Sequence, residues 1–238
     1  MEDDSCIEIW KEVIIMNFIQ FHKELFQVNS KFSKYAANHA DTQEFFFEGP
    51  GLFQVDLEKY AFLVHEGVVL KYHISPLGKM LYDNFYTHNS FIGLLPNIFY
   101  FDDYFEYTTL GNIHGLKIPL SALDAYPEDL KNELFLRNIQ RELFWKDSAA
   151  RMLGLNLKEK IFYILSIIHN FRGVNPWDNT YSIPKYITHE ILANVANVSR
   201  TRVSYVMSEL QKENIITYSK EGKIVILDID YLHDSCGY

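Results

Sequence analysis

Cysteine is almost missing from this chain of 238 residues, which contains only Cys6 and Cys236. The two cysteines lie near opposite ends of the sequence and form no Cys-x-x-Cys pair. A disulfide framework or a cysteine metal site needs more cysteines at closer spacing. We therefore expect a protein of a reducing compartment, with no metal site and no cofactor.

Long hydrophobic runs are missing as well. No apolar stretch approaches the ~18 to 20 residues that cross a bilayer, and the longest one, around residues 161–168, is typical of a buried helix. The first residues, Met1 to Asp4, are acidic and lack the basic region that opens a secretory signal. These features predict a cytoplasmic protein without a membrane partner.

The local motifs of common enzymes do not occur in the sequence. It has no Walker loop and no GxGxxG, HExxH or GxSxG motif, and its 9 histidines are scattered. Although catalytic groups can be assembled from distant positions, no pattern here indicates such an assembly. We expect that the chain is not an enzyme, and we assign no catalytic residue.

Positive charge is in deficit over the whole chain, with 22 Lys and Arg against 31 Asp and Glu and a net charge of −9. This balance disfavours nucleic-acid binding, because Lys and Arg supply most contacts to DNA phosphates. Between residues 184 and 227, however, the sequence contains six basic and four acidic residues, a local charge balance of +2. The overall charge therefore does not exclude DNA binding by this segment.

The spacing of apolar residues changes along the chain. Residues 1–35 have helical spacing, whereas residues 42–118 have short apolar or alternating runs separated by turn formers, as in an antiparallel sandwich or barrel. The clearest of these runs are residues 44–47, 60–64, 68–72 and 116–118. The prediction is an α+β chain with a β-rich domain over residues 1–126, a long helix and hinge over 127–155, and a third domain over 156–238.

The long helix is expected to begin at Pro127, which is tolerated in a first turn, with Glu128 and Asp129 placed well against the helix dipole. Apolar side chains then recur in steps of three and four, interrupted only at Lys146: Leu136, Ile139, Leu143, Ala150 and Leu153. This is the spacing of a coiled coil. Two interpretations remain, a seam between two copies of the chain or a helix packed on its own sheet. A second helix is predicted over residues 157–171.

Residues 187–210 have the pattern of two helices joined by a tight turn. Thr188 is a good N-cap for the first helix and Ser199 for the second. Asn197 tolerates the positive φ that the turn between them needs. The second helix has an apolar stripe that must face inward, namely Val203, Val206, Met207 and Leu210.

The opposite face of this second helix is polar and suits a DNA groove. It presents Arg200, Thr201, Arg202, Ser204 and Tyr205. Arginine can bond bidentately to guanine, and hydroxyl groups reach phosphates or bases. Residues 214–218 and 223–227 then flank a turn, which predicts a hairpin with Lys220 and Lys223 at its tip for backbone phosphates. We predict a winged helix-turn-helix that binds double-stranded DNA; the alternative is a winged helix that contacts protein without sequence-specific DNA binding.

These segments resemble the Crp/Fnr (catabolite activator protein) family of bacterial transcription regulators, over roughly residues 42–230. The likeness is ungapped from Ile187 to Ile216, and Leu155–Ile161 is similar to the hinge after the family's long dimer helix. Tyr60–Val68 resembles a strand and glycine turn of the family's β-roll, and Asn89–Gly93 resembles the approach to its effector pocket. The resemblance implies a β-roll sensor like a cyclic-nucleotide-binding domain, a long dimerisation helix and a C-terminal winged helix-turn-helix.

The resemblance also implies partners and contacts. It implies a homodimer on a palindromic operator with half-sites one DNA turn apart, and a contact with RNA polymerase around Val174–Thr180. It places base-reading side chains at Arg200, Thr201 and Tyr205, and phosphate contacts at Thr188 and Ser199. Thr201 and Tyr205 differ from the family's commonest glutamate and arginine, so we expect a different operator from that of the best-known members.

The sensor half departs from the members that bind cyclic nucleotides. Those members use a Gly-Glu pair for the ribose and an arginine for the cyclic phosphate. In this chain Gly93 is followed by Leu94, and the segment that matches the arginine contains Asp102 and Asp103, whose carboxylates would repel a phosphate. We therefore expect a sensor that is not suited to cyclic nucleotides.

Other effectors of the family are not indicated either. Cys6 alone cannot hold an iron–sulfur cluster, and His73 or His88 is conceivable as a haem ligand, although a lone histidine is far more often an ordinary residue. A pocket lined by aromatic side chains would suit an apolar ligand, or the same side chains would form a filled core: Phe91, Phe99, Phe101 and Tyr104. The effector, and whether one exists, stays open.

Overall fold

The computed structural model of the chain describes residues 24–74, 78, 80–94, 105–171, 182–183 and 185–228. These residues form two compact units, Glu24–Ala150 and the part of the chain from Arg151 onward. Several sequence predictions lie outside the described residues: the helical spacing before residue 24, Cys6, Cys236, the aspartates and aromatics of residues 99–104, and the loop Val174–Thr180. Among the helices that are described, none is long and apolar enough to cross a membrane.

In its described residues, the N-terminal unit has two antiparallel sheets of four strands each. Its strands are β1 (Gln43–Phe47), β2 (Gly51–Leu52), β3 (Tyr60–Glu66), β4 (Val69–Ile74), β5 (Met80–Tyr86), β6 (Ser90–Ile92), β7 (Phe105–Thr109) and β8 (Ile113–Pro119). They pair in the orders β1-β8-β3-β6 and β2-β7-β4-β5. The four runs singled out in the sequence lie in or overlap β1, β3, β4 and β8, so the predicted β-roll is confirmed.

Strand β3 shows why its sequence is almost continuously apolar. Successive side chains of a strand point to opposite faces, and both faces of β3 are covered. Phe62 and Val64 join an aromatic-rich core drawn from both sheets, whereas Ala61 and Leu63 pack beneath the helices. That second face is covered by α1 (helical residues 24–37), the 3-10 turn Leu120–Ala125 and the start of α2.

Helix α2 (Glu128–Gly154) begins one residue after the predicted start at Pro127, and its 27 residues span roughly 40 Å at ~1.5 Å per residue. One face is buried on its own unit through residues three and four apart, which are Leu134, Asn138, Arg141, Trp145 and Ser148. The apolar stripe predicted as a seam lies on a different face and is exposed in the single chain. The accessible fraction of the residue is 53%, 43%, 57% and 84% at Leu136, Ile139, Leu143 and Leu153. Ala150 on the same stripe is exposed as well. The helix thus packs on its own unit and also presents an apolar stripe to solvent.

The buried face of α2 is polar in part and is bonded to strand β5. The Arg141 guanidinium donates to the backbone carbonyl of Phe85 and to Asn84 Oδ1 at 3.3 Å, and it lies 4.5 Å from the centroid of the Tyr86 ring. Trp145 stacks on Phe85 with ring centroids 5.3 Å apart. Since a buried cation is costly unless it is bonded, these contacts fix the rotation of α2 on the sheet and so decide which face stays exposed.

In the residues that the structure describes, the C-terminal unit has three helices and a small sheet. Its described elements are α3 (Leu157–Phe171), β9 (Ser182–Ile183), α4 (His189–Ala196), α5 (Arg200–Lys212), β10 (Ile216–Tyr218) and β11 (Ile224–Ile226). The bounds of α3 agree with the predicted helix. The sheet order is β10-β11-β9, so the predicted hairpin gains a third strand that the sequence did not indicate.

Candidate nucleic-acid interface

The turn between α4 and α5 has the geometry that the sequence predicted. Thr188 caps α4 by accepting a bond from the Ile191 amide at 3.3 Å, and Ser199 caps α5 by accepting from the Arg202 amide at 3.4 Å. Asn197 has φ 54° and ψ 48°, in the left-handed region. Asparagine is one of the few residues with a side chain that enters this region at low cost, so these three residues fix the crossing of α4 and α5.

Helix α5 has one buried and one exposed face. The predicted stripe of Val203, Val206, Met207 and Leu210 is buried in the core of the unit. Arg200, Thr201, Arg202 and Tyr205 are exposed as predicted, and 66% of Tyr205 is accessible. A hydrogen bond that the Tyr205 hydroxyl donates to the Glu209 carboxylate raises the pKa of this hydroxyl, and its oxygen still has acceptor capacity for a base edge.

The N-terminal end of α5 is electropositive for two reasons. The unpaired amides of a first helical turn carry a partial positive charge, and here Arg200 and Arg202 add two full charges without an acidic residue in that turn. The end is also exposed. An exposed helix end of this kind can enter a major groove and bond to base edges and phosphates.

The wing is the hairpin of β10 and β11, in register from Ile216 opposite Ile226 to Tyr218 opposite Ile224. Ser219 holds its turn by accepting bonds from the amides of Glu221 and Lys223, both at 3.2 Å. Lys220 is exposed at the tip. Lys223 is half-buried and its ammonium lies 2.6 Å from a Glu221 carboxylate oxygen. Of the two predicted phosphate contacts, Lys220 is therefore the better placed.

Ser204 does not face solvent as Arg200, Thr201, Arg202 and Tyr205 do. It is half-buried, and its hydroxyl lies 2.9 Å from Nδ1 of His189. The other ring nitrogen of His189 lies 2.8 Å from the Tyr218 hydroxyl in the wing. Sequence reasoning missed His189, because nothing in the spacing of residues 189, 204 and 218 predicts that α4, α5 and β10 bring them together.

Comparison with known proteins agrees with this geometry. The family model described as Crp-like helix-turn-helix domain matches residues 163–235, which include α4, α5 and the wing. The N-terminal two-sheet unit followed by a long helix is shared with solved regulators of the same type. The chain has the Crp/Fnr fold and carries the Crp-like helix-turn-helix domain.

Three solved structures illustrate the Crp/Fnr likeness. FixK2 from Bradyrhizobium japonicum superposes with a TM-score of 0.67 at 15% identity, covering 81% of this chain and 96% of that one. A Crp/Fnr-family transcriptional regulator from Thermus thermophilus gives 0.62 at 17%, covering 82% and 99%. A cyclic nucleotide-binding domain containing protein from Listeria monocytogenes gives 0.65 at 17%, covering 83% and 96%. Among curated proteins, none has a sequence that matches the chain significantly.

The N-terminal unit of this Crp/Fnr fold shows where the residues predicted near an effector pocket lie. Gly93 has φ 78°, and the following Leu94, at the position of the ribose-binding glutamate, is buried with Phe91 in the core beneath the helices. Phe91 thus packs under α1 rather than between the two sheets. The core between the two sheets is formed by other side chains, which include Phe53, Phe62, Tyr86 and Tyr107.

The two histidines considered as haem ligands lie apart on the sensor unit. His73 contacts the edge of Phe105, and the exposed His88 packs near Phe26 and is bonded to the backbone carbonyl of His65. Within the described ranges, no group of three or more His, Cys, Asp or Glu side chains is arranged to hold a metal ion.

Proposed function

We propose that this chain is a sequence-specific transcription regulator that binds a palindromic DNA operator as a homodimer. The observation that carries the proposal is the exposed, electropositive N-terminal end of α5, held by capped helices above a buried stripe. Arg200, Thr201 and Tyr205 read base edges in the major groove. Arg202, Thr188, Ser199, Lys220 and Lys223 are assigned to backbone phosphates, with Lys220 contributing more than the paired Lys223.

The exposed stripe of α2 supports the homodimer. Leu136, Ile139 and Leu143 lie on one side of a helix whose opposite side is already buried, so a partner is needed to remove them from water. A second copy of the helix supplies the complementary stripe around a twofold axis. Ala150 and Leu153 extend the same seam. Two recognition helices related by that axis read two half-sites in inverted orientation, which is a palindrome.

The sensor is proposed to respond to something other than a cyclic nucleotide, because Leu94 places an apolar side chain where a carboxylate is needed to bind the ribose. RNA polymerase is the proposed further partner, as the Crp/Fnr resemblance implies.

Selection of bound duplexes from a random DNA pool, by the purified chain without an added effector, tests the proposal. We expect a palindrome with half-sites one helical turn apart, and binding that weakens steeply with salt. The variant Arg200→Ala should relax the preference at one base position in each half-site, whereas Lys220→Ala should weaken binding to all duplexes alike. No enriched duplex would mean either that an effector is absent from the assay or that the winged helix contacts protein, and repeating the selection with ligands extracted from cells separates the two. Salt-independent binding would favour a winged helix that contacts protein.

A further inference from the structure

The side chain of His189 lies between two hydroxyl groups from different elements. It is the first residue of α4, and its Nδ1 is 2.9 Å from the Ser204 hydroxyl of α5. Its Nε2 is 2.8 Å from the Tyr218 hydroxyl, in the last residue of β10. One imidazole therefore joins the first helix of the motif, the recognition helix and the wing.

The chemistry of a neutral imidazole fits this position. In the neutral form one ring nitrogen donates and the other accepts, and a hydroxyl group can take either role, so both bonds form in either tautomer. Burial, and next the nearby charge of Arg200, lower the pKa of His189. The ring is consequently neutral at pH 7 and adds no charge of its own to the interface.

The two bonded residues occupy positions that matter for DNA contacts. Ser204 lies one helical turn after Arg200, so a bond at Ser204 opposes rotation of α5 about its axis and keeps the Arg200 end in place. Tyr218 immediately precedes the wing turn that carries Lys220. A displacement of Tyr218 would move that lysine relative to the recognition helix.

We infer that His189 is a positioning residue for DNA binding: through Ser204 and Tyr218 it holds the recognition helix and the wing in the relative arrangement that lets both contact one duplex. The inference rests on the proposed function. It also assigns Ser204, which the sequence suggested as a DNA contact, to the support of the interface.

The salt dependence of operator binding distinguishes positioning from simple stabilisation. Each phosphate contact contributes roughly 0.9 to the slope of log affinity against log salt concentration, and a merely less stable but folded protein keeps that slope. The measurement uses the full chain and the selected duplex, at a temperature where circular dichroism shows every variant folded.

We expect His189→Ala to weaken binding roughly fivefold, the size of one or two hydrogen bonds, and to lower the slope by roughly 1.8, as loss of the Lys220 contact in both protomers of the dimer does. Lys220→Ala should then have no further effect in the His189→Ala background, because the wing is already displaced. His189→Gln, whose amide both donates and accepts, should restore most of the affinity and the slope.

A second variant keeps the test decisive if His189→Ala does not fold. Tyr218→Phe removes only the hydroxyl oxygen and should reproduce the lower slope, whereas Tyr35→Phe, the same change on the exposed surface of α1, should leave it unchanged. Wild-type slopes in both His189→Ala and Tyr218→Phe, or a full additional effect of Lys220→Ala, would overturn the inference while Arg200→Ala still confirms DNA reading. A wild-type chain that binds no duplex would overturn the proposed function, and the inference with it.

Discussion

Asn197 is the single residue on which the crossing of α4 and α5 depends most directly. Its φ of 54° and ψ of 48° are open to glycine, tolerated by asparagine and strained for a β-branched residue. We expect Asn197→Val to destabilise the turn by about 1–2 kcal/mol and to increase amide exchange in α4 and α5 about tenfold. Asn197→Gly should exchange like the wild type, and equal damage by both changes would show that the asparagine side chain matters more than its backbone conformation.

His65 predicts a dependence of stability on pH. Its Nε2 lies 3.0 Å from the Ser33 hydroxyl of α1, and its ring centroid is 5.8 Å from that of His114. Burial first, and then the charges of His114 and His88, lower its pKa from 6.5. A folded state that binds a proton less readily than the unfolded state is fully stable above the unfolded pKa and loses stability as the pH falls through the folded one.

We therefore expect the free energy of unfolding to fall as the pH is lowered below about 6.5, and to fall less in His65→Gln. Chemical unfolding of both proteins across this range makes the comparison. Burial lowers the pKa of His189 as well. His189→Gln should therefore also reduce the fall in the free energy of unfolding, and it measures the share of this second histidine. Identical pH profiles for His65→Gln and the wild type would contradict the assignment to His65.

At the scale of elements, local signals decided which parts were predictable from the sequence. The bounds of α3, the capped helices α4 and α5 and the start of α2 at Glu128 follow from caps, apolar periods and turn residues that lie next to one another in the chain. The two-residue strand β9 carries too few residues for a period. The Arg141 contacts with β5 and the bridge through His189 depend on tertiary packing, so no spacing reveals them.

Helix α2 shows the same division. Its apolar stripe was readable as a coiled-coil seam, but the sequence could not separate a seam from packing on the helix's own sheet. The structure shows that another face of the helix is buried, because Asn138 finds a partner in α1 and Arg141 finds partners in β5. Asn138, for example, donates to Asn29 at 3.4 Å and to the Leu134 carbonyl at 2.8 Å. The apolar stripe, on another face of the helix, remains exposed to solvent.

The dimer proposal predicts a large effect of charge on that stripe. Leu143→Glu places two carboxylates in the seam of a symmetric dimer, and burying them unpaired should raise the dimer dissociation constant roughly a hundredfold, about 3 kcal/mol. Sedimentation velocity of the full chain measures it. Ile74→Glu alters a residue of β4 that is equally exposed, at 54%, and should leave the dimer intact. If both variants associate like the wild type, α2 does not form the seam.

At the scale of the whole molecule, charge is distributed unevenly along the chain. The excess of acidic residues lies outside residues 184–227, where the charge balance is +2. The segment proposed to bind DNA is therefore weakly basic, although the chain has a net charge of −9. The acidic remainder lowers nonspecific affinity for DNA by repulsion. Specific contacts from α5 and the wing, rather than general attraction, must then supply the binding.

The core of the N-terminal unit predicts that cyclic nucleotides do not bind the protein. Leu94 is buried with Phe91 beneath the helices, and aromatic side chains such as Phe53 and Phe62 occupy the space between the sheets. A ligand that binds only the folded state at a hundred times its dissociation constant stabilises by about 2.7 kcal/mol, a shift of roughly 5–10 °C in a protein of this size. Cyclic AMP and cyclic GMP should produce no such shift and no change in operator affinity, whereas the selected duplex should raise the melting temperature.

A shift that saturates with cyclic nucleotide would mean that Leu94 leaves the core to admit the ligand. Leu94→Glu, which supplies the missing carboxylate, would then be expected to tighten binding.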